Sequence, residues 1–210
     1  MNQIAATRPV RAAAPDYAEL MSACRFPGDL RAMAFAGIIT QSLAAQRTPL
    51  IRGMGEEAFA RLMRSCFPGI TLRNGTAASL PGDPLDDEFD DLLNLLLDHR
   101  SHAGEIQDWL SIGIASASMH ERHLWQDLGL PDRSKLTLLL QQNFPDLAAG
   151  NAGDMKWKKY FYRCLCARAG LTLCRSPNCA DCPDYAVCFG PETALPGALA
   201  PVRAAASSVD

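Results

Sequence analysis

Residues 79–100 read SLPGDPLDDEFDDLLNLLLDHR, and this stretch sets the fold class. Asp83 stands where a helix needs its N-cap, and Pro84 takes the first helical position, where a missing N–H costs nothing. The first turns then carry Asp86, Asp87, Glu88, Asp90 and Asp91. Carboxylates near a helix N-terminus complement its dipole, so this cluster reads as a solvated, dipole-matched face before it reads as a metal or catalytic site.

Helical signals recur on both sides. Upstream, Leu30 to about Gln46 (LRAMAFAGIITQSLAAQ) is apolar almost all round, which predicts a buried helix. Glu56 to Phe67 predicts a second, with Phe59, Leu62, Met63 and Cys66 on one stripe and Pro68-Gly69 as its stop. Downstream, a helix is expected from about Glu105 into His120-Glu121-Arg122-His123, with Trp109, Leu110, Gly113, Ala117 and His120 on one side and His123 one turn beyond His120. Asp132 to Asn143 follows, with Leu136, Leu139 and Leu140 inward and Pro145 behind it. Asp154 is placed to cap a final helix, MKWKKYFYRCLCARAG, that Gly170 ends. No valine occurs between Val10 and Val187, and β-branched runs of period two are missing, so a sheet has little to be built from. The expected fold is all-α: a single helical domain over residues 16–170 with a C-terminal cysteine-rich cluster-binding loop at 171–192. Ala/Pro-rich tails at 1–15 and 193–210 lack a periodic apolar face and read as solvated extensions.

Composition bounds the class. A chain of 210 residues, 48% hydrophobic, can bury a real core. A net charge of -3 argues against a general nucleic-acid binder. The first twenty residues hold no apolar run of signal-peptide length, and no apolar stretch is long enough for a bilayer, so a cytoplasmic protein without membrane contact is expected. In a reducing compartment, eight cysteines with half of them in one loop point to metal rather than disulfides.

That loop is Cys174-x4-Cys179-x2-Cys182-x5-Cys188. Four thiolates on one short segment can surround a tetrahedral ion or hold the corners of an iron-sulfur cluster. Zinc ribbons usually pair two Cys-x2-Cys knuckles across a longer insertion, whereas this loop has one knuckle and unequal arms, and its first three cysteines follow the order of plant-type ferredoxins. The spacing favours a cluster and leaves a zinc staple open. The stretch from about Cys174 onward is expected to order only with metal.

Further ligand candidates are His120 and His123, which at i,i+3 can chelate a metal, and Cys164 and Cys166. Residues at i and i+2 point apart on a helix, so at most one of those two cysteines lies near a cluster, and both read more readily as small core hydrophobes, as do Cys24 and Cys66. His99 and His102 fall at an expected helix end, where imidazole is simply a good C-terminal residue. Lys156, Lys158, Lys159, Arg163, Arg168 and Arg175 crowd the approach to the loop, as a solvated face or as a contact for an anion or an acidic partner. No catalytic residue is assigned, since there is no Gly-rich phosphate loop, no Gly-x-Ser-x-Gly elbow and no paired carboxylates in a credible site.

The run MKWKKYFYRCLCARAGLTLCRSPNCADCPDYAVCFGPE (155–192), with HLWQDLGLPDRSKL (123–136) upstream, resembles the NifQ family of nitrogen-fixation proteins. The likeness rests on the four-cysteine spacing followed by Phe189-Gly190-Pro191-Glu192 and preceded by Trp157-Lys158-Lys159. It implies a molybdenum-iron-sulfur cluster held at Cys174, Cys179, Cys182 and Cys188, and a carrier that donates molybdenum to the nitrogenase iron-molybdenum cofactor. The implied partners are the nitrogenase iron protein NifH, the NifE-NifN scaffold, and molybdate or another molybdenum source. A [4Fe-4S] electron-transfer protein, a zinc-stapled interaction module and a cluster-containing helical DNA glycosylase are the alternatives, the last without a convincing hairpin motif and downstream Asp.

Overall fold

The computed structural model describes residues 14–76, 84–171 and 179–192. Among these there is no strand, and the chain is all-α. The elements are α1 (Tyr17–Ser22), α2 (Leu30–Ala44), α3 (Glu56–Cys66), α4 (Pro84–His99), α5 (Glu105–Ser118), α6 (Leu124–Asp127), α7 (Arg133–Asn143), α8 (Pro145–Gly150), α9 (Trp157–Arg168), a 3-10 turn at Cys179–Asp181 and α10 (Tyr185–Phe189). Asp83, the expected cap of α4, and both tails beyond Ala14 and Glu192 lie outside the described residues.

One apolar core joins α1 to α9. Phe35 and Ile38 of α2, Phe59 of α3, Leu96 of α4, Leu110 and Ile114 of α5, Leu139 of α7 and Phe161 of α9 are all buried in it. Each side chain of that size stabilises the fold by roughly 1.5–3 kcal/mol relative to exposure. The 3-10 turn and α10 contribute no buried residue. α4 packs against α5 and α9, α2 against α5, and α7 against α8.

Cap chemistry follows the sequence in most places. Asp29 accepts from the Arg31 N–H, and Asp132 from the Lys135 N–H at 3.0 Å. Asp16 and Glu19 form a capping box that starts α1. Phe144 both ends α7 and precedes Pro145, whose fixed φ starts α8. Gly170, at φ +66, ends α9 as expected.

Two boundaries depart from expectation. Asp154 does not cap α9: it sits in the left-handed region at φ +55, its carboxylate accepts from Arg133 Nη2 at 2.9 Å, and the helix begins at Trp157. The helix expected to run from Glu105 through His123 stops at Ser118. Its continuation would carry the next apolar residues along the α5 axis, whereas α6 turns back against α2. There Gly37 and Gly129 meet so closely that a Cβ on Gly37 would lie 2.0 Å from the Leu128 carbonyl oxygen. Glycine at both positions is what lets the two backbones touch.

The acidic start of α4 is also less solvated than its composition suggests. Asp86 pairs with Arg52, and Glu88 accepts the Tyr162 hydroxyl, tying α4 to α9. No helix among the described residues is long and apolar enough to cross a membrane.

Candidate metal centre

α9 is the platform on which the cysteine loop rests. One face is anchored in the core through Trp157 and Phe161, and the Trp157 Nε1–H donates to Thr137 Oγ1 at 3.1 Å. The other side meets the loop. The Lys156 N–H donates to the Cys188 carbonyl at 2.8 Å, and Arg163 Nη1 donates to Cys179 Sγ at 3.7 Å. Within the loop, the Cys182 N–H donates to the Cys179 carbonyl at 3.2 Å and the Tyr185 N–H to the Cys182 carbonyl at 3.0 Å, so the Cys-x2-Cys knuckle is a folded turn. Tyr185 and Phe189 stack with ring centroids 4.6 Å apart, stiffening α10.

The far end of the loop is tied to the helical domain by Glu192. Its side chain is 6% exposed and lies 3.8 Å from both His123 Nδ1 and Arg133 Nη1. Arg133 in turn donates to the carbonyls of Asp154 and Met155, the residues that lead into α9. Glu192 and Arg133 were not singled out from sequence as site residues. The Phe-Gly-Pro-Glu that follows the last cysteine carried the signal, because a charged residue so close to a ligand loop needs a partner.

Between α9 and the loop lies a cavity of about 380 Å³ whose wall includes Tyr160, Arg163 and Cys164 from the helix and Cys179 and Phe189 from the loop. Cys166 does not line it, in keeping with the i,i+2 argument. Burial and a hydrogen bond with the Cys164 thiol push the Tyr160 hydroxyl up to about 12, so it stays protonated beside the sulfur. Cys164, Cys166, Cys179, Cys182 and Cys188 are all free thiols. Cys174 and Arg175 lie outside the described residues. Among the described residues no three of His, Cys, Asp and Glu converge as an ion's ligand set.

The other candidates are dispersed. His120 and His123 do not share a helix: His120 follows the end of α5, and His123 is the N-cap of α6, with its N–H bonded to Gln126 Oε1 at 3.2 Å. His123 faces Glu192, while burial, and next to it the Arg47 charge, push His120 down to about 4. Lys158 points inward: its Nζ donates to Asp127 Oδ2 at 2.7 Å and to the His120 carbonyl at 2.5 Å, and only 17% of the side chain is exposed. Arg168 pairs with Asp98 at 2.9 Å. Of the expected basic collar, Lys156 reaches the Ala186 carbonyl of α10 and Arg163 reaches Cys179, while Lys159 is exposed on α9. Cys66 is core, its thiol pushed up to about 11 by burial, and Cys24 is half-buried.

A family model, NifQ, matches residues 34–190, from the middle of α2 through the last cysteine. The chain belongs to the NifQ family. NifQ proteins take part in nitrogen fixation. Protein NifQ of Azotobacter vinelandii is 40% identical over 157 residues, covering 69% of this chain and 80% of that protein. Protein NifQ of Rhodobacter capsulatus is 50% identical over 84 residues, 40% of this chain and 47% of that one. A NifQ homolog of Sinorhizobium fredii is 36% identical over 138 residues, 66% and 60% of the two chains. No solved structure gives a significant match.

Proposed function

We propose that the protein carries a molybdenum-iron-sulfur cluster on its cysteine loop and gives up molybdenum for assembly of the nitrogenase iron-molybdenum cofactor. One observation carries the reading most directly: the NifQ match runs through a loop whose described cysteines are free thiols on a folded turn, braced against α9.

The donor chemistry fits. Cys174, Cys179, Cys182 and Cys188 would hold the cluster, whose iron corners take thiolate as a terminal ligand. Arg163 beside Cys179 lowers the cost of gathering negative charge at the sulfurs. Cys164, across the same cavity from Cys179, is a second thiol in its wall, and Tyr160 supplies it with a hydrogen-bonding hydroxyl. Four thiolates do not saturate a molybdenum corner of higher coordination number, so that corner keeps a place for a replaceable ligand and hence a route to release. The loop lies outside the core, with every described residue of the 3-10 turn and α10 at least partly exposed, which suits a cargo that must be handed to another protein. Lys156 against the loop and Lys159 exposed on α9 suit an acidic docking surface on a recipient, for which NifE-NifN and the iron protein NifH are the proposed partners.

The test is transfer. Protein loaded with labelled molybdenum is incubated without oxygen with molybdenum-free NifE-NifN scaffold and NifH, and the label on the scaffold is measured. Movement of label from the natural sequence and none from Cys182→Ala is the expected result. Full retention of the label by the loaded natural protein would contradict the donor role.

A further inference from the structure

Cys179 is set apart from the other described thiols of its own loop. It lies in the wall of the cavity of about 380 Å³ between the loop and α9, and the other cysteine in that wall is Cys164 of α9. Cys182, Cys188 and Cys166 do not line the space. Arg163, the residue before Cys164, reaches Cys179 Sγ with Nη1 at 3.7 Å, so the sulfur is turned toward α9 rather than toward its partner in the Cys-x2-Cys knuckle. Both thiols are free and half-buried.

Two thiols that face one space, on elements held together by other bonds, have the makings of a disulfide. The Lys156 N–H bond to the Cys188 carbonyl at 2.8 Å and the Glu192 side chain hold the far end of the loop against the domain, which keeps Cys179 close to α9. The 3-10 turn that carries Cys179 buries no residue, so it can settle into the cavity without uncovering core. Cys164 sits on a helix anchored by the buried Trp157 and Phe161. One sulfur is fixed, and the other stands on a surface turn.

We propose that Cys164 and Cys179 are a reversible disulfide pair, and that forming the bond withdraws Cys179 from the ligand loop of the metal-free protein. The oxidant is a low-molecular-weight disulfide such as oxidised glutathione. The Cys179 thiolate, the outer of the two, attacks one sulfur of the oxidant and expels a first thiolate; Cys164 then attacks the Cys179 sulfur of the mixed disulfide and expels a second. Two protein thiols lose their protons and become one S–S bond, the two leaving thiolates take up those protons, and the two electrons pass to the oxidant. In a reducing compartment a bond of this kind is transient and acts as a sensor. The withdrawal of Cys179 matters through the cluster-carrier reading, on which it rests: of the loop thiols only Cys174, Cys182 and Cys188 remain, and the unloaded loop stays closed until a thiol reductant opens it.

Metal-free full-length protein treated with oxidised glutathione in the absence of oxygen tests this. The remaining thiols are alkylated and the unreduced digest is mapped by mass spectrometry. The expected main product is the peptide pair joining Cys164 to Cys179, reversed by dithiothreitol, missing from Cys164→Ser and kept by Cys166→Ser. Thermal melts establish that each variant is folded. A main product joining Cys179 to Cys182, or Cys164 alkylated as fully as in untreated protein, would overturn the proposal. Uptake of iron and sulfide tells it apart from the cluster-carrier reading. Cross-linked protein should take up at least tenfold less iron than the same protein after reduction, and uptake within twofold would overturn the withdrawal of Cys179. If the reduced protein takes up no iron or sulfide either, the carrier reading fails while a mapped Cys164–Cys179 bond still stands.

Discussion

The helical domain and the cysteine loop are built by opposite rules. The domain buries six phenylalanines, at 35, 59, 67, 89, 144 and 161, and closes even its charged groups on one another, as in the Asp127–Lys158 pair. The 3-10 turn and α10 of the loop bury no residue, and the loop is held by Lys156 N–H to Cys188, Arg163 to Cys179 and the Glu192 side chain. A rigid body with a lightly tethered ligand loop is what a carrier requires, because the strength that folds the domain need not be overcome when the loop gives up its cargo. Stability and function can therefore be broken separately.

The largest effect on the domain should come from Asp127→Ala, which leaves Lys158 and Arg122 buried without their anion; about 3–5 kcal/mol of stability should be lost in urea unfolding. Gly37→Ala should cost about 1–3 kcal/mol by driving a methyl into the Leu128 carbonyl, read as a lower urea midpoint. A smaller effect has a pH signature. His120 titrates near 4 in the fold against an ordinary 6.5, so as pH falls the unfolded chain takes up the proton first; the stability present above pH 6.5 is lost on the way down to about 4. Because His120 is only partly buried, solvent screening should hold the loss to about 1 kcal/mol, and His120→Gln should remove it from the difference between unfolding curves at pH 7 and 4.5. At the bottom of the scale, Cys182→Ala should shift the unfolding of the metal-free domain by less than about 0.5 kcal/mol. The same substitution should abolish metal binding. Limited proteolysis sharpens the contrast further: the metal-free protein should be cut first within 171–192, and metal loading should protect that segment.

The domain was legible because its signals are local. Asp29, Asp132, Pro145 and Gly170 mark helix ends by cap and turn chemistry that needs no tertiary partner. The break between His120 and His123 was not, because it is set by the approach of Gly129 to Gly37, some ninety positions earlier in the chain. Asp154 misled for a similar reason: a cap residue in sequence is a left-handed turn residue once Arg133 claims its carboxylate. In the site, the cysteine spacing showed the ligand loop at once. What spacing could not show is which neighbours reach it. Cys164 was distinguishable from Cys166 only once α9 was oriented by Trp157 and Phe161, and the inward turn of Lys158 depends on an Asp127 that lies thirty-one residues away.

The central claim is that the loop holds a molybdenum-containing cluster while the helical domain stands without it. Protein purified without oxygen from molybdenum-supplied cells should be analysed for molybdenum, iron and acid-labile sulfide beside Cys182→Ala. All three elements on the natural protein, lost together from a variant that remains folded, is the result expected. Zinc alone would make the loop a structural staple, and iron with sulfide but no molybdenum would make the protein an electron carrier; either would contradict the account.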